Sequence, residues 1–389
     1  MTSTPTRRCR NWLKTYEQWS VDRCAAPKSF LFWSGIFCLS AALRRKVCVP
    51  KSILGAWNCW PHLYIFLVGP PGTRKNTAMG FSSDILSQIT DLEKPPEFIS
   101  AEALSDSLAK SPDCSLYLHV EEFGDLIMGS GPRMYEFLTS CFDGKKELRR
   151  KTLTRGLEYA HKPCVNGFFG TTPEWIAGNM PEAVIGGGFA SRCIFVAEEK
   201  ARDKRIFFSE RKLPYPLSHY HKLENDLVID LQHIASTIEG EFTILPQDQD
   251  WFELWHAEHE YSKNPKLQGY NNRKITLILK LSQLVHVSYS DNLVLSREDI
   301  ETAIDMIESI EEKLPSVFDG IGKNKYVFDV KAMVQFVKDN PGVRRDKILK
   351  QFENVATPAL LAELLDGLLI TSTLKSVEDH EHKQVFFVK

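Results

Sequence analysis

The stretch Leu63-Tyr64-Ile65-Phe66-Leu67-Val68-Gly69-Pro70-Pro71-Gly72-Thr73-Arg74-Lys75-Asn76-Thr77 decides how the rest of the chain is read. An apolar run of strand length feeds a Gly/Pro turn and a lysine, and residues 78–89 then read as a helix. That is the layout of a phosphate-binding loop. Backbone N–H groups of the loop and first helical turn point at an anion, and the helix dipole favours it. Lys75 reaches the β- and γ-phosphates as a mobile charge. The pattern G-x-x-x-x-G-K-[ST] is kept at Gly69 and Lys75, but Arg74 replaces its second glycine and Asn76 its Ser/Thr. A side chain at position 74 crowds backbone that lies near the phosphates. For Mg²⁺, Asn76 offers a carbonyl oxygen and Thr77 a hydroxyl, and both stay open. Gly69, Pro70, Pro71, Gly72, Thr73, Arg74, Lys75, Asn76 and Thr77 are therefore the candidate ligands of ATP.

A second segment, Cys114-Ser-Leu-Tyr-Leu-His-Val-Glu121-Glu122, is an apolar strand ending in adjacent carboxylates, one strand–helix–strand excursion after the lysine. It reads as a Walker B element: Glu121 holds Mg²⁺ and Glu122 polarises the attacking water. Glu121 stands where Asp is usual. His119, within the strand, reads as a packed core residue. Residues 145–162 read as a β-hairpin turning near Thr154-Arg155-Gly156, with one strongly basic arm. Arg149, Arg150, Lys151 and Arg155 are candidates for a DNA backbone, which needs positive charge and position rather than base readout. A further apolar strand from Cys164 ends in Thr171-Thr172, and a glycine-rich loop leads to Ser191-Arg192-Cys193.

Bulk properties narrow the classes. The 389 residues, 43% hydrophobic and 25% charged, suit roughly two to three globular domains. A net charge of −2 excludes blanket affinity for nucleic acid, so any such contact is local. Nine cysteines without a C-x-x-C pair read as reduced buried thiols. No H-E-x-x-H supports a zincin. The N-terminus leads into no apolar signal core, which predicts a cytoplasmic protein. The apolar run Ser29–Leu43 has 15 residues, short of the ~20 that span a bilayer, and reads as a buried helix with no membrane role.

Taken together, the phosphate loop, the Glu-Glu strand, the basic hairpin, the strand ending Thr171-Thr172 and Ser191-Arg192-Cys193 resemble AAA+ ATPases that carry a hairpin before sensor 1. That clade holds the superfamily 3 and minichromosome-maintenance helicases. The sequence is more closely similar to helicase-like ATPases of phages and mobile elements, in which a G-P-x-G-T-R-K loop is tolerated. The resemblance covers roughly residues 28–310. It implies an α/β P-loop NTPase core with a parallel sheet, in a hexamer with ATP at subunit interfaces and hairpins lining a channel. It also implies that Thr172 (or Thr171) senses the γ-phosphate and that Arg192 acts in trans. The sensor 2 cation would be Arg273, with Lys280 as its rival. The expected activity is that of an ATP-dependent DNA helicase or translocase in phage or mobile-element replication, acting on single-stranded or forked DNA in bacterial cytoplasm. An initiator or loader that recruits another motor, and a nucleotide-gated binding module, are the alternatives. A primase constellation is not visible, so a primase would be a partner.

Around that core, residues 1–52 read as a helical collar, 53–215 as the ATPase core, and 216–315 as a helical lid. Within the lid, Ser296 and Asp299 form an S-x-x-D capping box. Residues 316–389 read as a winged-helix-like domain, in which Thr357-Pro358 opens an acidic, leucine-rich third helix.

Overall fold

The computed structural model describes residues 7–152, 156–181, 184, 188–264, 267–318, 327–353, 357–378 and 384–388. The chain divides into two compact units, Met1–Phe318 and Asp319–Lys389. The collar, the sheet and the helical block after it are thus parts of one body.

In the first unit, α1 (Trp12–Val21) and α2 (Lys28–Leu43) precede β1 (Tyr64–Val68) and α3 (Lys75–Leu86). Then come α4 (Ala101–Lys110), β2 (Ser115–Val120), α5 (Phe123–Met128) and α6 (Pro132–Phe142). Strands β3 (Glu147–Thr152) and β4 (Gly156–His161) pair antiparallel as a hairpin. Strand β5 (Cys164–Thr171), α7 (Pro173–Asn179) and β6 (Cys193–Ala197) complete the sheet region. The helical block is α8 (Leu217–Thr237), α9 (Pro246–Glu258), α10 (Lys274–Val287), α11 (Arg297–Glu311) and α12 (Leu314–Phe318).

The four strands β2-β5-β1-β6 lie side by side in that order, all parallel. Every residue of β1, β2 and β5 is buried, as continuous apolar strands are when helices cover both faces. On one face Phe66 is the hub, with ring centroids of Phe123, Phe169 and Phe195 at 4.7, 4.8 and 4.9 Å. On the other, Phe168 stacks at 4.8 Å on Phe37 of α2. This burial against the sheet accounts for the apolar character of α2. Among the described residues no helix is long and apolar enough to cross a membrane. His119 also faces this layer, its Nε2 3.0 Å from the Met79 carbonyl oxygen, and burial lowers its pKa. Asn166 holds the start of the sheet, where its Oδ1 accepts from the Leu63 N–H (3.1 Å) and from the Ser40 hydroxyl.

The helical block is tied to the rest of this unit at several points. Phe318 of α12 packs edge-on against Phe195 at 5.1 Å, beside the outer strand β6. The pair Val47–Cys48 runs parallel to Gly240–Glu241. The capping box at Ser296 is present, and the Asp299 carboxylate also accepts from the Tyr289 hydroxyl (2.6 Å) and bonds His286 Nδ1 (2.9 Å).

The second unit has α13 (Val327–Asp339), β7 (Val343–Arg344), α14 (Arg345–Gln351), α15 (Pro358–Ile370), β8 (Leu374–Glu378) and β9 (Gln384–Val388). Its antiparallel sheet has the order β7-β9-β8. Met333, Ile348, Leu361, Leu365 and Phe386 form its core, so α15 spends its leucines inward.

Candidate phosphate-loop site at the strand ends

A parallel sheet brings all its C-terminal strand ends to one edge, and the polar residues of the four sequence segments meet there. Gly69 follows β1, Glu121 and Glu122 follow β2, Thr171 and Thr172 end β5, and Glu198 follows β6. The chain reaches β2 from β1 by passing over the slot that β5 later fills, which sets the loop after β1 between the ends of its neighbours. Ligands of open α/β sheets bind at such carboxyl-terminal crevices.

The edge is drawn together by close backbone contacts. The Gly69 N–H donates to the Thr171 carbonyl oxygen (3.2 Å), and the Glu198 N–H to that of Val68 (2.9 Å). A Cβ on Gly69 would lie 2.6 Å from the Glu198 carbonyl oxygen, and one on Gly170 only 2.1 Å from that of Glu121. Both positions therefore require glycine. Gly170 sets how near the acidic pair comes to β5, a role that a lone glycine in an apolar strand does not announce.

Within the loop, Gly72 has φ 88° and Arg74, the residue before α3, adopts φ 66° and ψ 31°. The left-handed conformation is the reason glycine suits position 74, and an arginine there carries strain of about 1 kcal/mol. Thr73 is buried, its hydroxyl donating to the Pro70 carbonyl oxygen at 2.9 Å. Lys75 is buried too, and its ammonium donates to the carbonyl oxygens of Gly69 (2.5 Å) and Pro70 (3.4 Å). Burial lowers its pKa, while the carboxylates of Glu122 and Glu174 raise it. Glu174, in the first turn of α7, lies in no motif of the sequence. Asn76 is exposed, and its amide donates to Glu121 Oε2 at 2.6 Å. Thr77 is exposed beside it.

The two threonines at the end of β5 differ. Thr172 caps α7, its hydroxyl oxygen accepting from the Trp175 N–H at 3.1 Å. Thr171 is buried with no hydrogen-bond partner for its hydroxyl among the described residues. Thr171 is the one with an unmet hydrogen bond, although the sequence reading favours Thr172.

Arg192 and Arg273 are elsewhere. Arg192 precedes β6 at the N-terminal end of the sheet, separated from the loop by the length of β1, roughly 13 Å of strand. It is buried, with Nε and Nη2 on the two oxygens of Asp143 (2.9 and 2.7 Å) and Nη1 on the Gly188 carbonyl oxygen (2.6 Å). An arginine held so within its own chain has no free donor fork to offer a neighbouring subunit. Arg273 is 3.5 Å from the same Asp143, and Lys280 is wholly buried beneath it. The structure does not bring the sensor 2 candidates to Lys75.

Strand β3 carries Arg149, Arg150 and Lys151, paired with Tyr159, Glu158 and Leu157. Arg155 and the rest of the Thr154-Arg155 turn lie outside the described residues, as do Gly186 and Gly187. Among the described residues no group of three or more His, Cys, Asp or Glu is placed to hold a metal ion. All nine cysteines are free thiols.

No protein-family model matches the chain. It is similar to the response regulator aspartate phosphatase I of Bacillus subtilis (strain 168), with 25% identity over 194 residues, 43% of this chain and 50% of that protein. The chain thus spans about half the length of the curated relative it matches.

Proposed function

We propose that the C-terminal edge of the sheet binds and hydrolyses ATP with Mg²⁺, and that the chain is a motor ATPase acting on DNA. One observation carries this reading: Lys75, Asn76, Glu121, Glu122 and Thr171, drawn from three separate strand ends, converge on one edge, with Asn76 on Glu121 at 2.6 Å. In the reading, the loop N–H groups and Lys75 take the phosphates. Lys75 now spends its protons on the carbonyl oxygens of its own loop, and a triphosphate gives that ammonium an anionic partner in their place. The donor set fits a hard cation. Glu121 would hold Mg²⁺ together with the Thr77 hydroxyl or the Asn76 amide oxygen, the Asn76 N–H being the group that donates to Glu121. When bound, the ion neutralises charge developing on the β- and γ-oxygens. Glu122, exposed at the end of β2, orients the attacking water, and the unpartnered Thr171 hydroxyl bonds the γ-phosphate or that water. A cleft of about 500 Å³ beside the loop, lined by Val68, Pro70, Pro173, Glu198, Lys313 and Val317, has the size to receive the nucleoside.

The hairpin β3–β4, rooted at the other end of the sheet between α6 and the start of β5, offers a basic arm for a sugar–phosphate backbone. The reading is accordingly a helicase or translocase of a phage or mobile element, assembled as a homo-oligomer, with a hexamer as the expected ring. Arg192, held by Asp143, takes no part in it. ATP turnover should be stimulated by single-stranded DNA, lost in Lys75→Ala, and lost with nucleotide still bound in Glu122→Gln. Wild-type turnover in both variants sinks the assignment. Strand displacement on a forked duplex by the purified chain separates a helicase from a loader that recruits another motor. A second reading, nucleotide binding without turnover, is favoured by Asn76, which presents Glu121 with an amide where the pattern has a hydroxyl. Any DNA-stimulated turnover eliminates it.

A further inference from the structure

At the opposite end of the sheet, four cations lie about the Asp143–Gly144 turn, and two of them share its one carboxylate. Asp143 is bidentate to Arg192 and 3.5 Å from Arg273. Lys280 is wholly buried, yet its ammonium donates only to main-chain oxygens, those of Trp60 (2.6 Å) and His62 (2.9 Å), and lies 4.2 Å from the centre of the Phe142 ring. Arg45 donates to the carbonyl oxygens of Gly144, Lys145 and Pro163, stacks at 4.6 Å on Trp60, and leaves its buried Nε without a partner among the described residues. Buried cations with neutral partners are costly, because carbonyl dipoles do not replace a counter-charge. The pKa values of Arg273 and Lys280 are both lowered, first by burial and then in part by neighbouring arginines.

These groups enclose a space. Asp143, Gly144, Arg273, Lys280, Trp57 and Trp60 line a cavity of about 150 Å³. Trp57, Arg273 and Thr276 also line an open groove of about 750 Å³, along with His256, Tyr261 and Asn272. The cavity is thus a cationic pocket at the floor of a wider groove with aromatic walls. Trp57, 39% exposed, stands where the two meet.

We propose that this groove is a second anion site, separate from the phosphate loop, which takes a phosphate group in the Arg273–Lys280 cavity and stacks a planar base on Trp57. Its ligand class is a phosphate ester with an attached base. A free nucleotide and a nucleic-acid strand share that chemistry. The strand has a route, because Asp143 and Gly144 run directly into the basic hairpin that begins at Glu147. The inference needs no activity at the loop.

The test is done on the full chain carrying Lys75→Ala, so that binding at the loop does not contribute. Pyrophosphate and a 5′-phosphorylated single-stranded oligonucleotide are titrated separately by calorimetry. Saturable binding of at least one is expected, weakened by about tenfold or more on adding Arg273→Gln, the loss of one charge-assisted hydrogen bond. Lys280→Met, apolar and similar in length, should weaken it comparably. If that variant fails to fold, the half-exposed Arg273→Gln still decides. Trp57→Ala should weaken the oligonucleotide but not pyrophosphate. A site for free nucleotide takes a single nucleoside 5′-monophosphate as tightly as the oligonucleotide, and a site for a strand favours the oligonucleotide with a steep salt dependence. No saturable binding of either probe, or binding unchanged by Arg273→Gln, overturns the proposal, whatever the loop does.

Discussion

At the C-terminal end of the sheet one lysine, Lys75, shares its surroundings with Glu121, Glu122 and Glu174. At the N-terminal end one carboxylate, Asp143, shares its surroundings with Arg45, Arg192, Arg273 and Lys280. At the first end Glu122 and Asn76 are exposed, and a second cation, Lys313, pairs with Glu198 at 2.8 Å. The second end is short of negative charge and largely buried. The same parallel sheet produces both. Its C-terminal ends gather loops on which Asn76 and Glu122 are exposed while Lys75 is buried. Its N-terminal ends are sealed by α6 and α10, where a charge must find a fixed partner. Carboxylates on the loops keep an exposed face, whereas cations under the helices are held by fixed partners within the chain.

Four substitutions sharpen or break that contrast. Gly170→Ala strikes the C-terminal end hardest, because its Cβ would meet the Glu121 carbonyl oxygen at 2.1 Å and the obstacle is backbone. A loss of about 3 kcal/mol in denaturant unfolding is expected, the upper part of the range for overpacking. An unchanged midpoint would show that the acidic pair does not depend on this contact. At the other end, Asp143→Ala leaves buried Arg192 without its counter-charge. Because Asp143 is itself partly exposed, about 2 kcal/mol is expected rather than the full cost of a buried pair. Equal stability would mean that Arg192 is free to turn outward after all.

The third is a pH effect specific to the sealed end. Burial brings the Lys280 pKa down from 10.5 to about 8. Between those values the unfolded chain binds the proton that the folded chain has released. Stability should therefore rise with pH across that window, by up to about 1.4 kcal/mol per unit, and the burial cost is fully felt below it. Subtracting the Lys280→Met profile isolates this slope, and parallel profiles for the two chains would contradict it. The smallest effect is expected from Arg74→Gly, which relieves a left-handed residue and should stabilise by about 1 kcal/mol or less. A loss of stability there would mean that the arginine side chain holds the loop through contacts of its own.

How much of this the sequence discloses follows the range of the interaction. Strands β1, β2 and β5, the helix after Lys75, the hairpin pairing and the Ser296–Asp299 box are written in local patterns of apolar runs, turn residues and caps. The residues that meet at the C-terminal edge are legible for the same reason, since each sits at the end of a recognisable strand. What is not legible depends on partners far along the chain. Arg192 reads as a residue acting in trans until Asp143, at the end of another helix, takes its guanidinium. Arg273 reads as a nucleotide contact until the fold sets it beside that same carboxylate. Thr172 and Thr171 are equivalent in sequence, and only the start of α7 commits the first to a cap. Glu174 and Gly170 matter through proximity that no spacing rule contains.

The central claim is that the loop from Gly69 to Thr77 takes the phosphates of ATP through Lys75. Calorimetric titration of Mg²⁺-ATP into the wild-type chain and into Lys75→Ala tests it most directly. The account predicts saturable binding to the wild type, dependent on Mg²⁺, and a Lys75→Ala chain that still folds but shows no loop-dependent heat. No binding to the wild type, or the same affinity in both chains, would contradict it.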